Sequence, residues 1–331
     1  MKNISVLFMG TPDFCVPILE SLIDNYNVVG VVTQPDKEVG RHKELKASPI
    51  KECAIKNGVL VIQPNKIRKE YEEVLKRKPD LIVTCAYGQI IPKEILECPK
   101  YGCINVHASL LPKYRGGAPM QRAIMNGDKK TGITIMYMDE HMDTGNIISM
   151  REVPILETDN LEDVHDKLSL CGKELLLETI PNIIAGTNQS IKQNDEEATY
   201  APIISREDEK IDFNKNAVEI YNHIRALSPF PGAYATLDGK TVKIYNAYVK
   251  NEFYTEKENG EIGKAYKDGL GISCNDLEIV ITDVKFEGKK RMLMKDFFNG
   301  NDKESFIGKI FNIITYFIRW GFYICYYFYY F

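Results

Sequence analysis

Residues 4–34 read ISVLFMGTPDFCVPILESLIDNYNVVGVVTQ, and this stretch decides the fold class. ISVLFMG (Ile4 to Gly10) is a short apolar run closed by glycine, the pattern of a buried strand. The next residues open with Thr-Pro, a helix-start signature, and Phe14, Ile18, Leu19 and Leu22 recur at helical spacing. NVVGVVTQ (Asn27 to Gln34) is a second strand. Strand, helix and strand in direct succession predict a parallel βαβ unit.

The alternation continues. VLVIQP, DLIVTCA, GCINVHASL and GITIMYM are further β-rich runs separated by stretches of helical length, with a helix expected around Pro49 to Lys56. PDKEVGRHKELKA reads as a polar loop. A long amphipathic run, Leu161 to Ile184, closes the domain. The expectation is an α/β fold: a Rossmann-like, mostly parallel open sheet over residues 1–185, with helices on both faces and ligands beyond the carboxyl ends of the strands. Residues 186–205 are polar, weakly periodic and linker-like. After a helical stretch around Ala217 to Leu227, the runs AYATL, TVKIYNAYV, GISC and LEIVITDVKF are separated by Asp-Gly and Asn-Gly turns. They predict a smaller antiparallel β-barrel, OB-like, over residues 206–305.

Composition narrows the function classes. The chain has 331 residues, enough for two domains, and is 44% apolar and 27% charged, which excludes wholesale disorder. A net charge of −4 argues against a protein that coats nucleic acid, so such a partner would need a local basic face. Eight scattered cysteines without a C-x-x-C pair suit a reducing compartment. MKNISVLFMGTPDF begins a strand at once and lacks the layout of a signal peptide; a cytoplasmic location is expected. Residues 306–331 are atypical, with 13 of the chain's 34 Phe, Tyr and Trp residues. From Ile310 onward only Arg319 is charged, so the segment reads as a membrane anchor, a hydrophobic docking element, or a stretch translated out of frame. No membrane contact is expected unless this tail is genuine.

Candidate chemistry centres on INVHASLLPKYRGGAP. Residues two apart in a strand face the same side, so Asn105 and His107 project together. An imidazole that takes or gives a proton beside an amide that donates to a developing oxyanion is what acyl transfer needs. The ordinary alternative is a satisfied core histidine with an asparagine capping a turn. MDEHMDTG (Met138 to Gly145) supplies a carboxylate that could orient the ring, with Asp143, Asp139 and His141 as rival candidates. A metal held by His107, His141 and Asp143 lacks any H-x-x-x-H or H-E-x-x-H spacing, and no metal is expected. GTPDF is not G-x-G-x-x-G, and neither a P-loop nor a Gly-x-Ser-x-Gly elbow occurs.

MGTPDFCVPILESL, VVTQPDKEVGR, CAYGQIIPKEIL, INVHASLLPKYRGGAPMQRAIMNGD and TGITIMYMDEHMDTGNII together resemble the folate-dependent formyltransferases. YAPIISREDEKIDF and IRALSPFPGAYATL narrow the resemblance to the methionyl-tRNA formyltransferase family. The resemblance implies formyl transfer from 10-formyltetrahydrofolate to the amino group of initiator methionyl-tRNA, with Asn105, His107 and Asp143 as catalytic residues. It implies a folate-binding loop of Ser109, Leu110, Leu111 and Pro112. It also implies tRNA contacts at Lys37, Arg41, Lys43 and Lys46, and in the C-terminal domain at Lys289, Lys290 and Arg291, the densest basic group there. A monomer is expected. Two alternatives stand beside it: another folate-dependent formyltransferase or a 10-formyltetrahydrofolate hydrolase, and a catalytically dead RNA-binding protein.

Overall fold

A computed structural model of the protein describes residues 3–39, 43–253 and 256–311. Contacts divide the chain into two compact units, Met1–Glu209 with Asn222–Gly232, and Lys210–Tyr221 with Ala233–Phe331.

The first unit contains strands β1 (Ser5–Gly10), β2 (Asn27–Val32), β3 (Lys37–Val39), β4 (Glu44–Lys46), β5 (Val61–Ile62), β6 (Leu81–Cys85), β7 (Cys103–His107), β8 (Lys130–Tyr137) and β9 (Ile147–Pro154). Its helices are α1 (Val16–Asn25), α2 (Pro49–Lys56), α3 (Glu72–Leu75), α4 (Lys93–Leu96), α5 (Pro119–Met125) and α6 (Leu161–Ala185). Seven strands form one sheet in the order β5-β2-β1-β6-β7-β8-β9. Pairings from β5 through β7 are parallel, whereas β7–β8 and β8–β9 are antiparallel. Chain order reverses between β1 and β6, which makes that crevice the switch point of a doubly wound sheet.

The central strands are apolar on both faces because both faces are covered. Val6 and Phe8 pack with Ile18, Leu19 and Leu22 of α1 and with Leu168, Leu175 and Leu176 of α6. Leu7 and Met9, pointing the other way, pack with Val74 of α3 and Ile95 of α4. Helix α6 is bounded as its sequence dictates. Asn160 accepts the Asp163 N–H while the Asp163 carboxylate accepts the Asn160 N–H, and Gly186 ends the helix at φ 67°.

Three local expectations change. Thr11 does not cap a helix: its hydroxyl donates to the Tyr87 carbonyl, a 3-10 turn occupies Asp13–Cys15, and α1 starts at Val16 with proline in its first turn. PDKEVGRHKELKA holds the two-stranded antiparallel hairpin β3–β4. The sheet is extended by an antiparallel edge: GITIMYM forms β8, antiparallel to β7, and β9, which has no counterpart among the sequence runs, pairs with it.

The second unit is an antiparallel sheet of β10 (Ala233–Leu237), β11 (Lys240–Lys250), β12 (Ile262–Ala265), β13 (Leu270–Ser273), β14 (Glu278–Phe286) and β15 (Met292–Leu293). Helix α7 (Ala217–Ala226) crosses the unit boundary, and α8 (Met294–Phe297) follows β15. Register shifts in β11 and β12 bend the sheet. Of the aromatic segment 306–331, residues up to Phe311 run beside β12, where the N–H of Ile262 donates to Lys309 and that of Gly308 to Ile262, and Phe311 is buried. The remainder, 312–331, lies outside the described residues. Among the described residues no helix is long and apolar enough to cross a membrane.

Replacing Asn160 by Ala should remove the N-terminal cap of α6 and lower stability by about 1 kcal/mol, read from the urea midpoint at unchanged m-value.

Candidate active site

Asn105 and His107 lie on β7, one strand beyond the switch point, and each is fixed by the strand beside it. Thr84 of β6 is the register partner of Asn105, and its hydroxyl sits 2.8 Å from Asn105 Oδ1. With its oxygen engaged there, the Asn105 amide makes no hydrogen bond through its N–H2 group among the described residues. Asn105 is half-buried, so this donor can reach a ligand.

His107 pairs in register with Thr134 of β8. The Thr134 hydroxyl donates to the Ser109 carbonyl at 2.7 Å and accepts the Leu111 N–H at 3.1 Å, pegging the start of the Ser-Leu-Leu-Pro loop. Ser109 closes that loop by donating to the Lys113 carbonyl at 2.6 Å. The chain then passes through Tyr114 in the left-handed region, φ 60°, which aims the Tyr114 carbonyl at His107 Nε2, 3.0 Å away. On the other ring nitrogen, Nδ1 faces Asp143 Oδ1 at 3.7 Å, with only 7% and 14% of the two side chains exposed.

Bringing Asp143 there takes a fold-back. Strand β8 is antiparallel to β7, so the loop after Tyr137 leaves from the edge remote from His107, opposite Ile104. The loop returns through Asp143 itself, at φ 56°. Gly145 allows the tight packing, since a Cβ there would lie 1.8 Å from the Tyr137 carbonyl oxygen. Asp143 Oδ2 accepts the Gly116 N–H at 2.8 Å. Gly116 has φ 121°, and a Cβ on it would come within 2.7 Å of the Ala201 carbonyl, so the position suits glycine alone. The rivals go elsewhere: Asp139 is exposed and accepts the His141 N–H and the Thr144 hydroxyl, and His141 is exposed.

The predicted loop residues divide in two. Ser109 and Leu111 are buried, Leu111 against Met136 and Ile147, and shape the loop from within. Leu110 and Pro112 are half-buried. Among the described residues no group of three His, Cys, Asp or Glu side chains could hold a metal ion.

The basic residues are not equivalent. In the β3–β4 hairpin Lys37 stands directly opposite Lys46, both exposed, so two like charges share one face. Lys43 lies 3.5 Å from Glu38 in an exposed pair of little energetic weight. Arg41 lies outside the described residues. Lys289 lies over the Phe297 ring and Lys290 is exposed. Arg291 is committed within its own unit, with Nε and Nη2 donating to Asp283 and the guanidinium 4.1 Å above the Tyr245 ring. The hairpin's base is ordered by Lys51 and Gln63, whose hydrogen bonds to Asp36 hold that carboxyl below its ordinary pKa.

Thr84, Thr134, Tyr114 and Gly116 position the trio and were not singled out from sequence. The available signal was the threonines within two largely buried strands, Thr84 in β6 and Thr131 and Thr134 in β8.

Residues 2–180 match the formyl transferase family and residues 203–302 match the formyl transferase C-terminal domain. A methionyl-tRNA formyltransferase of Bacillus subtilis strain 168 is 53% identical over 91% of this chain and 96% of its own length. One from Geobacillus sp. strain WCH70 is 53% identical over 92% of this chain and 97% of its own length. Among solved structures, an N-formyltransferase from Helicobacter canadensis, in complex with folinic acid and dTDP-3-aminofucose, aligns at TM-score 0.65 and 24% identity, covering 87% of this chain and 100% of that one. A methionyl-tRNA formyltransferase from Clostridium thermocellum aligns at TM-score 0.55 and 21% identity, covering 86% and 98%. These two likenesses concern the fold.

The Tyr114 hydroxyl donates to Asp128 at 2.7 Å and accepts from Asn126. Burial, with Asp128 adding to it, pushes the phenol up to about 12. A raised pKa favours the protonated folded form, so this contribution to stability is full below the ordinary value of 10.0 and is lost as pH rises through about 12. Spectrophotometric titration should show a set of tyrosines ionising late in the native protein, since burial also raises Tyr26, Tyr87, Tyr245 and Tyr248, and Tyr114→Phe should lower the amplitude of that late phase by one tyrosine.

Proposed function

The chain belongs to the formyl transferase family and, over nine-tenths of its length, to the methionyl-tRNA formyltransferases, and we propose the following route for its reaction. The formyl group of 10-formyltetrahydrofolate passes to the free amino group of initiator methionyl-tRNA, giving the formylated initiator. The observation that carries the chemistry is the His107–Asp143 pair beside the unengaged amide of Asn105.

The amine attacks as its neutral form. A C–N bond forms between the amine and the formyl carbon, negative charge grows on the formyl oxygen, and the bond from that carbon to the folate nitrogen breaks. Asn105 Nδ2 donates to the growing oxyanion, its own oxygen held by Thr84. His107 Nε2 rests on the Tyr114 carbonyl, which places the proton-exchanging lone pair on Nδ1, facing Asp143. The proton lost by the amine is taken into the Nδ1–Asp143 gap and returned to the departing folate nitrogen. Asp143 stabilises the ring's charge between those two events.

The residues fit such a donor: a neutral amide faces the reacting oxygen, and half-buried Leu110 and Pro112 offer apolar surface to a flat pterin ring. Ser109 and Leu111 act on the folate through the shape of the loop. On the RNA side, Lys37 and Lys46 relieve their mutual repulsion by taking a phosphate between them, with Arg41, Lys43, Lys289 and Lys290 adding contacts. The enzyme works as a monomer in the cytoplasm and needs no metal.

His107→Ala should abolish turnover while leaving tRNA affinity within about twofold; an equal loss of both would show the ring to be structural. Asn105→Ala should cost about 3 to 4 kcal/mol of barrier, roughly 10²–10³ in kcat. Affinity for tRNA should fall steeply with salt, and Lys37→Ala and Lys46→Ala should each reduce the slope by about one. A flat salt profile would remove the hairpin from the interface.

A further inference from the structure

Gln193 lies in the polar stretch after α6 whose sequence reads as a linker, yet it is only 5% exposed. Its amide is used on every side. Oε1 accepts from Arg115 Nε at 3.1 Å and from Arg115 Nη2 at 2.8 Å. Nε2 donates to the carbonyls of Asp143 and Gly145, each at 2.8 Å. One side chain therefore ties together the two loops that face the two nitrogens of His107.

Both loops need that tie. The Asp143 loop carries a non-glycine residue in the left-handed region, which persists only where surroundings over-determine it. Arg115 sits between Tyr114, whose carbonyl meets His107 Nε2, and Gly116, whose N–H holds Asp143 Oδ2. Arg115 is 3% exposed, and its charge is offset by Asp195 at 2.8 Å. The same stretch adds backbone support: the Thr199 hydroxyl accepts the Tyr114 N–H, Arg115 N donates to the Thr199 carbonyl, and Ala201 N donates to the Arg115 carbonyl.

We propose that Gln193 is a positioning residue for Asp143, and that residues 193–201 act as a strap setting the distance between Asp143 and His107. This inference rests on the reading that Asp143 acts through His107. Without the Gln193 amide, the Asp143 and Gly145 carbonyls and the Arg115 guanidinium lose buried partners at once. The loop then relaxes, Asp143 Oδ1 leaves its place opposite Nδ1, and the ring loses its charge stabilisation during turnover. Misplacement on this scale is a loss in kcat; binding of either substrate has no part in it.

The test is a double-mutant cycle of Gln193→Met, which keeps the chain length and volume of the side chain, with Asp143→Asn. In the natural background Gln193→Met should lower kcat by about 10- to 100-fold, with KM for tRNA and for the folate donor within about twofold. In the Asp143→Asn background the same change should cost less than about twofold, because the group it positions is already lost. Equal losses in both backgrounds, or a raised KM at unchanged kcat, would overturn the inference and leave Gln193 a structural residue. Full activity of Asp143→Asn alone would instead overturn the catalytic reading beneath it. Should Gln193→Met not fold, Gln193→Glu, which keeps an acceptor for Arg115, takes its place in the cycle: a kcat loss confined to the Asp143 background supports the strap, and equal losses in both backgrounds overturn it.

Discussion

The sheet changes direction between β7 and β8, and the place of each group at the site follows from where that change falls. As the last of the parallel strands, β7 presents Asn105 and His107 at the carboxyl edge, where a doubly wound sheet opens its crevice. Its neighbour on one side runs parallel and supplies Thr84 to the Asn105 oxygen. Its neighbour on the other runs antiparallel and places Thr134 beside His107, so that one hydroxyl can peg the loop after β7 through both its donor and its acceptor. Had β8 been parallel, the loop after it would have emerged beside His107 with no need to turn back. Because it is antiparallel, Asp143 reaches the ring only by folding back through a left-handed residue, a tight glycine and an external tie at Gln193.

The geometry around His107 separates two jobs. A carbonyl on Nε2 fixes the ring's tilt and tautomer, while a carboxylate near Nδ1 responds to its charge. At 3.7 Å and largely out of water, the gross attraction between Asp143 and a doubly protonated ring is on the order of 4 kcal/mol at an effective dielectric of about 20. The exposed Lys43–Glu38 pair, at a similar distance, falls among those contributing about 0 to 1 kcal/mol. Burial is what makes one pair chemically useful and the other incidental. The same burial explains why the neighbouring donor is an amide: Asn105 supplies hydrogen-bonding power to an oxyanion without adding a charge that would compete for Asp143.

Local periodicity made much of this legible in the sequence. The strand-helix-strand start, α2 between its Ser-Pro entry and Lys56, and α6 within a residue of its run were all readable, because each is decided by neighbours in the chain. Strand β9 and the β3–β4 hairpin were not: β9 is a partly exposed edge without a buried face of its own, and the hairpin strands are three residues each. At the site, Asn105 and His107 stood out through their spacing; Asp143 was one of three polar candidates by local pattern until the family resemblance singled it out, and the fold-back brings its carboxylate to 3.7 Å from the ring. The partners of Thr84, Thr134 and Gln193 could not be read from local pattern, since their bonds span separations of 21, 25 and 78 residues. A linker-like composition hid the strap for the same reason: Gln193 alone among its polar side chains is buried, and composition does not record direction.

The two basic regions, alike in sequence, part company once their partners are visible. Arg291 already has a bidentate carboxylate and an aromatic face, so meeting a phosphate would mean giving up bonds to Asp283 and leaving that buried charge behind. Lys37 and Lys46 face the opposite situation: the hairpin register sets two ammonium groups against each other, and an anion placed between them removes a repulsion as well as making an attraction. In a chain with net charge −4, an opposed pair of this kind is a local basic exception on an acidic molecule. That localisation matters for an enzyme whose second substrate carries its reacting amine at the extreme end of a long RNA. A uniformly basic surface would hold the RNA in many poses, whereas in the proposed route a small opposed pair on a hairpin that leaves the sheet just after β2 favours poses that present the end to β7.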